Sequence, residues 1–596
     1  MVFLYLDNSY SMSAIGMEGT LLSESKELAK RIINSCNAKT RFLIFTNALS
    51  GVERKMLTKA TATQFIDQIK LNPTPRNLGA VLKFQEEYTK RYHREIEKIS
   101  SLNRIILSDF QKNTAVLSNY VPSVTDFTDK INLIQAISQQ KDNRYIDSVW
   151  TDSPVHKPGQ QIQLFFRVQN FSEKKIDNLN VALQFDGKKR MTNISIAPNS
   201  ANSSYFMVTP SSTGYLEGKL SLSDANITWD DEFHFTNKSA SSGKIVIING
   251  NDSEKSVEKV FETEPYYDVT ASNEASFNAR ELKNADLLVL NGLSSIASGM
   301  AEKIKRYIDY GGSVFILPGL DINLGEYNTL LKQLNLNGYS GVMEQGNAVS
   351  DIAYKSMFFK GMFEKEKKDL NIPLLKSVYF LKNASQSNAQ ILIKLRNNLP
   401  LLVYQKSNGN VFLFNACTEE SNGGFLQHAL YPSMILRAAE LSLRALPLYY
   451  NLGQANTLSL EYESNTDVPV KLTSAQETHI PRQIQNGDIL TLQLNSPELV
   501  ERIKGGIYNV VGNTPLAKIA LNLNREESKL SYLDQEQIME GFRTAGLKKV
   551  SFRKLDQGVN SFSIDLEKPS SFWQIFVILA LIFLLLEMAI LKFLLP

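Results

Sequence analysis

At 596 residues, 43% hydrophobic and 21% charged, the chain is too long for one core and too apolar for disorder, so several globular domains are expected. Lys and Arg number 64 against 61 Asp and Glu, a formal net charge of +3, and with no basic cluster nothing points to nucleic acid. The two cysteines, Cys36 and Cys417, are far apart and lie outside any CxxC pair, which gives no zinc-site spacing.

The chain begins with VFLYL at 2–6, an unbroken apolar run too short for a helix and therefore a buried strand. DNSYSM follows at once. Asp7, Ser9 and Ser11 fall on alternate positions, so in an extended or gently turning chain their oxygens face one way. They converge beyond the carboxyl end of a strand, where open α/β sheets place their ligands. Hard oxygen donors of this kind suit Mg2+ or Mn2+. A purely structural reading also stands: a DNSYS turn whose serine hydroxyls cap the next helix.

LLSESKELAKRIINSC reads as a helix, TRFLIFTNAL as a second buried strand, ATQFIDQIKLN and LGAVLKFQEEYTKRY as helices, and NRIILSDFQK as a strand ending in Asp109. KINLIQAIS is one more strand. Strands alternating with helices predict a doubly wound sheet over 1–140, its right-handed crossovers bringing the loops after Leu6 and Leu107 to one edge. From 143 to 240 apolar and polar residues alternate between short turn clusters, an Ig-like β-sandwich pattern. The βα rhythm returns over 243–445, with GKIVIING, NADLLVLNG and SVFILPG as strands. From 447 to 570 alternation again predicts a β-rich domain, interrupted by the helical LDQEQIMEGFRTAG.

The tail, FWQIFVILALIFLLLEMAILKFLL over 572–595, is long and apolar enough to read as a transmembrane helix, with Trp573 at its entrance. Glu587 within it either snorkels to the interface or pairs with a polar group on another helix. No signal peptide precedes VFLYL, so the chain either inserts by its tail or has lost upstream sequence; beginning inside a core strand favours the second.

Asp7-Asn8-Ser9-Tyr10-Ser11 resembles the DxSxS metal-ion-dependent adhesion motif of von Willebrand factor A domains, and Asp109 in ILSDFQ stands where that family has its later metal-site aspartate. The whole plan resembles the BatA-type proteins of Bacteroidetes aerotolerance operons, as do the NREESKLSYLD stretch and the EMAILKF tail. The family's middle metal residue is a threonine three positions before a glycine. Here NPTPRNLGAV puts Arg76 in that place and Thr74 two residues early, and a guanidinium facing a cation would repel it. The resemblance implies a cation held by Asp7, Ser9, Ser11, Asp109 and Thr74, with an open position for a partner's carboxylate. It also implies an inner-membrane protein with periplasmic domains, a cytoplasmic orientation being the alternative. Its partners would be other A-domain membrane proteins and a MoxR-type AAA ATPase, in envelope stress or aerotolerance.

Residues 243–445 resemble the class I glutamine-amidotransferase-like fold, whose chemistry needs a cysteine on a tight elbow near a histidine. The elbow VFILPGLD carries none, leaving Cys417 and His428 as the candidates for a rival reading as a hydrolase or amidotransferase regulated by the A domain. The main expectation is a non-enzymatic interaction scaffold.

Overall fold

β1 (Val2–Leu6) is buried at every position because its sheet is covered on both faces. Val2, Leu4 and Leu6 point into one apolar cluster with Leu21, Leu28 and Ile32. Phe3 and Tyr5 point into another with Val81, Leu82 and Phe542, the alternation an extended chain imposes. β2 (Phe42–Phe45) and β3 (Asn103–Ser108) flank β1, and β4 (Lys130–Ala136) lies beyond β3, all in parallel. α1 (Leu21–Ser35) and α2 (Lys59–Gln68) cover the first face and α3 (Leu78–Arg91) the second. In this computed structural model the described residues are 1–49, 53, 55–92, 102–117, 120, 130–140, 142–152, 155–222, 227–250, 255–363, 365–366, 371–382, 389–417, 419–444, 446–462, 468–487, 489–547, 549–556, 558–559 and 573–594.

The first sheet is completed from the far end of the chain. The strand Val550–Leu555 pairs in parallel with β4, and the helix before it, Gln535–Thr544, packs Ile538 and Phe542 into the second cluster. Residues 143–239 form a three-stranded and a five-stranded sheet that share one core. An eight-stranded sheet follows, with parallel strands at Gly243–Asn249, Tyr267–Asn273, Leu287–Leu293, Ser313–Pro318 and Asn410–Phe414. Three antiparallel strands extend one of its edges. Two smaller sheets within 450–522 share a further core.

This architecture corrects the expected fold class. Among the described residues the chain is mostly sheet, in seven separate sheets, with few helices. Residues 1–140 do not close on themselves as a von Willebrand A domain, and 447–570 is not a separate β-rich domain, because 535–555 belongs to the first sheet and its second core. The alternation of SFRKL marks a strand, but alternation carries no information about which sheet receives it.

The tail forms a helix over Trp573–Leu594 whose large side chains from Phe576 to Met588 are exposed. Among the described residues no helix is long and apolar enough to cross a membrane. The expected transmembrane helix, the membrane anchoring and the inner-membrane placement are corrected accordingly. Residues 560–572 and 595–596 lie outside the described residues.

Candidate functional site

β1 and β3 run in register with Leu6 opposite Leu107, so the residues just beyond them emerge side by side. Asp7 donates its N–H to the Leu107 carbonyl at 2.9 Å, which fixes the start of the loop. Its Oδ1 accepts the Ser9 hydroxyl at 2.7 Å, the Ser9 N–H at 3.0 Å and Asn47 Nδ2 at 3.2 Å. Oδ2 accepts the Ser108 hydroxyl at 2.6 Å. The Ser9 and Ser11 hydroxyls are 3.0 Å apart. Asp7, Ser9 and Ser11 thus form one oxygen-rich cluster.

Asp109 is fully buried beside it, and neither of its carboxyl oxygens has a hydrogen-bond partner. Burial, and then the charges of Asp7 and Glu527, push its carboxyl well above the usual carboxylate range, while the nearby Ser11 side chain and Gln111 backbone oppose this more weakly. A buried charge without a partner is costly, so such a group either holds a proton or is balanced by a cation.

Glu527 is the member that the sequence reading missed. It belongs to a short 3-10 turn, Arg525–Ser528, that Asn524 opens by accepting the Glu526 N–H at 3.1 Å. Its Oε2 accepts the Ser11 N–H at 3.4 Å, while Oε1 has no hydrogen-bond partner. Burial, then the Asp7 charge, raise its carboxyl to about 7. Only the run NREES hinted at a turn, and nothing in it indicates contact with residues more than five hundred positions away.

Two sequence candidates reach the cluster only through a neighbour, Thr74 by way of Asn72 and Arg76 by way of Asn47. Thr74 gives its N–H to Asn72 Oδ1 at 2.8 Å, and no hydrogen bond among the described residues ties it to Asp7. Arg76 directs Nε to the Asn47 carbonyl at 2.7 Å, and the carboxyls whose titration its charge influences are Glu53 and Glu501. The alternative capping role is also corrected. α1 is capped by Thr20, whose hydroxyl accepts the Ser23 N–H at 3.2 Å, while the Ser9 hydroxyl turns to Asp7.

The expected open adhesion-type site is overturned by the seal over the cluster. Asp7, Ser9, Ser11, Asp109 and Glu527 are each at most 4% exposed, and Glu527 Oε2 accepts the Ser11 N–H. Among the described residues no group of three or more His, Cys, Asp or Glu side chains is gathered as a metal cluster. The fit to a cation therefore rests on two hydroxyls and on carboxyl oxygens with no hydrogen-bond partner. Mg2+ keeps several of its waters and accepts this kind of sparse oxygen set.

At the eight-stranded sheet, Cys417 is buried just after Asn410–Phe414, and its carbonyl accepts Asn422 Nδ2 at 2.9 Å. His428 Nδ1 accepts the Leu430 N–H at 3.2 Å, capping the helix Leu430–Ser442, and its ring stacks beside Phe425. VFILPGLD ends in a crest with no room for an elbow nucleophile. A Cβ on Gly319 would lie 2.9 Å from the Gly292 carbonyl oxygen, and one on Gly250 only 2.0 Å from it.

No protein-family model matches the chain, and no curated protein matches it. Among solved structures it is similar to the CARDB domain of a Pyrococcus furiosus protein in complex with di-metal ions, at 11% identity over 17% of this chain and 98% of that one, TM-score 0.16. It is also similar to a ThuA-like protein from Bacteroides uniformis, at 11% identity over 34% of this chain and 93% of that one, TM-score 0.28. A GMP synthase component from Thermoplasma acidophilum matches at 14% identity over 33% of this chain and 92% of that one, TM-score 0.23. None of the three reaches the score at which a shared fold would follow.

Proposed function

We propose that this protein is a non-enzymatic interaction scaffold whose first sheet holds a divalent cation, Mg2+ or Mn2+, at its carboxyl edge. Asp7, Ser9, Ser11 and Asp109 would hold the ion, partly through its own waters. The ion would supply the positive charge that relieves the repulsion among the buried carboxyls and could polarise an approaching acceptor. One observation carries the reading: Asp109 is fully buried, with both carboxyl oxygens lacking a hydrogen-bond partner, beside two further carboxyls. The remaining sheets would present docking surfaces for other proteins. Partnership with A-domain proteins and a MoxR-type ATPase, and a part in envelope stress or aerotolerance, rest on the sequence resemblance alone and belong to the same proposal.

The test is calorimetric titration of the full chain with Mg2+ and with Mn2+ after chelation. Saturable binding in the wild type, lost in Asp7→Ala, is expected. Heats no different from the buffer blank at millimolar metal would overturn the cation reading.

A further inference from the structure

Over the whole sequence 64 basic residues are almost balanced by 61 acids, yet one hollow has cations as its only charged lining among the described residues. Arg280 and Lys283 come from the 3-10 turn Ala279–Asn284, and Lys303 and Arg306 from the helix Ser298–Asp309. Arg444 follows the helix Leu430–Ser442. Its N–H donates at 3.1 Å to Asp286, the residue before the strand Leu287–Leu293, so the hollow lies at the amino edge of the eight-stranded sheet. Its volume is about 590 Å³, within the range of small-molecule sites. Between the cations the wall is apolar or aromatic, with Tyr307 buried, Tyr310 45% exposed, and Ile489 reaching in from the strand Ile489–Gln493.

Local structure accounts for some of this charge. Arg306 sits in the last turn of its helix, where the macrodipole favours a cation, and its guanidinium is 3.9 Å from the Glu302 carboxylate in an exposed pair. The Arg444 guanidinium lies over the Tyr307 ring at 5.4 Å. Asp286 accepts two backbone N–H groups, from Arg444 and from Lys244 at 2.9 Å. Arg280 and Lys303 are different: neither forms an ion pair among the described residues. Like charges gathered in a hollow repel one another, and low-dielectric walls focus their field on whatever enters. That field selects an anion, and the arginine fork matches phosphate. The aromatic floor is fixed, since the Tyr307 hydroxyl donates to the Ala285 carbonyl at 3.1 Å. A ring beside a cationic rim suits a ligand with one flat apolar end. A concave site of this size takes a small molecule, whereas a membrane surface needs a protruding face.

We propose that this hollow binds a soluble phosphate ester that carries a flat ring, a ligand of the nucleotide class. Its phosphates would lie among Arg280, Lys283 and Lys303, and its ring against Tyr310 and Ile489. The proposal is independent of the cation reading above. Because Ile489 belongs to the sheets that follow the eight-stranded one, a bound ligand touches both and holds them together.

The probes are ATP, inorganic pyrophosphate and adenosine, each titrated into the full chain in buffer containing a chelator, so that no divalent cation contributes. Saturable ATP binding is expected, weaker binding of pyrophosphate, and none of adenosine at millimolar concentration. Arg280→Glu and Lys303→Glu should each weaken ATP about tenfold or more, the loss that a charge-assisted contact to phosphate carries. Both positions are exposed, or reach solvent from a helix surface, and matching thermal unfolding curves will show that the variants fold. Lys189→Glu, in the exposed basic run at the start of the strand Lys188–Ile196, should leave binding unchanged. Tyr310→Ala should weaken ATP about fivefold or more and leave pyrophosphate alone, the lower end of what a stacked base contributes. No saturable binding of ATP or pyrophosphate would overturn the proposal, as would equal weakening by Lys189→Glu. Capture by phosphatidylglycerol vesicles without binding of either soluble anion would overturn it too. Equal affinity for ATP and pyrophosphate would overturn the place given to the ring.

Discussion

The first and the eight-stranded sheet both carry a parallel βα core, and each brings several loops to its carboxyl edge, yet the two edges are finished in opposite ways. At the second, amides and phenols join the loops, with the carboxyls of Glu258 and Glu326 accepting from Asn249 and from the Ile296 N–H. Asn291 donates to Asn249 at 2.8 Å, the Tyr327 hydroxyl to the Leu293 carbonyl at 2.6 Å, and the Tyr379 hydroxyl to the Gly319 carbonyl at 2.8 Å. The backbones there close on one another at Gly250, Gly292 and Gly319. At the first, acids from positions 7, 109 and 527 meet, and two of them keep oxygens without a hydrogen-bond partner. The second edge holds an acid of its own, Glu258, whose Oε1 accepts Asn249 Nδ2 at 2.9 Å and whose Oε2 is buried without a hydrogen-bond partner. At the first edge three acids come together around Ser9 and Ser11, and that number, rather than the shared layout, singles out the site.

Putting an acid into the finished edge should break it. Asn415 is fully buried, donates Nδ2 to the Pro400 carbonyl at 2.9 Å and accepts the Tyr339 hydroxyl at 3.1 Å. Asn415→Asp replaces that donor with an oxygen facing a carbonyl and buries an unpaired charge. A loss of about 3–5 kcal/mol in urea unfolding is expected. A loss below about 1 kcal/mol would mean that the second edge tolerates charge as the first does.

His156 tests whether any buried group lacking a hydrogen-bond partner behaves like the acids. Its Nε2 has none, and burial lowers its pKa from the ordinary 6.5 to about 4. Between those values the unfolded chain holds the extra proton, so this contribution to stability is present above pH 6.5 and is lost as the pH falls through 4. Between pH 7 and 4 the wild type should lose up to about 3 kcal/mol more than His156→Gln in denaturant unfolding. Mg2+ should leave that difference unchanged, whereas a metal-dependent difference would erase the distinction drawn between the edges.

The smallest effect is expected at Asp109 itself. Removing one member of a satisfied buried ion pair costs about 3–5 kcal/mol. Asp109 has no such partner, so Asp109→Asn in metal-free protein should change stability by no more than about 1 kcal/mol, on the stable side. A large loss on metal-free unfolding would show that the carboxyl is already satisfied within the protein.

How much of this the sequence discloses depends on the range of each interaction. VFLYL followed by DNSYS marks a buried strand and an oxygen cluster because both signals are local, and Asp109 is legible as an acid ending a second apolar strand. Glu527 is not legible, since its place is decided by a strap that pairs with the loop after β3. Arg76 illustrates a related limit: its position in the chain suggested a charge beside Asp7, but its guanidinium turns to the Asn47 carbonyl. Hydropathy likewise gave the tail a membrane span that the described helix does not provide. The crest at Gly250, Gly292 and Gly319 has no local signal either, because three scattered glycines become one contact only after the strands pair.

A crystal of the full chain grown with millimolar Mn2+, with diffraction recorded above and below the manganese absorption edge, decides whether a cation completes the acids at the first edge. One anomalous peak is expected within coordination reach of the Ser9 and Ser11 hydroxyls and the Asp7 and Asp109 carboxyls, directly or through water. A map with no peak there, and with the Asp109 and Glu527 oxygens hydrogen-bonded to each other or to water, would rule the cation out.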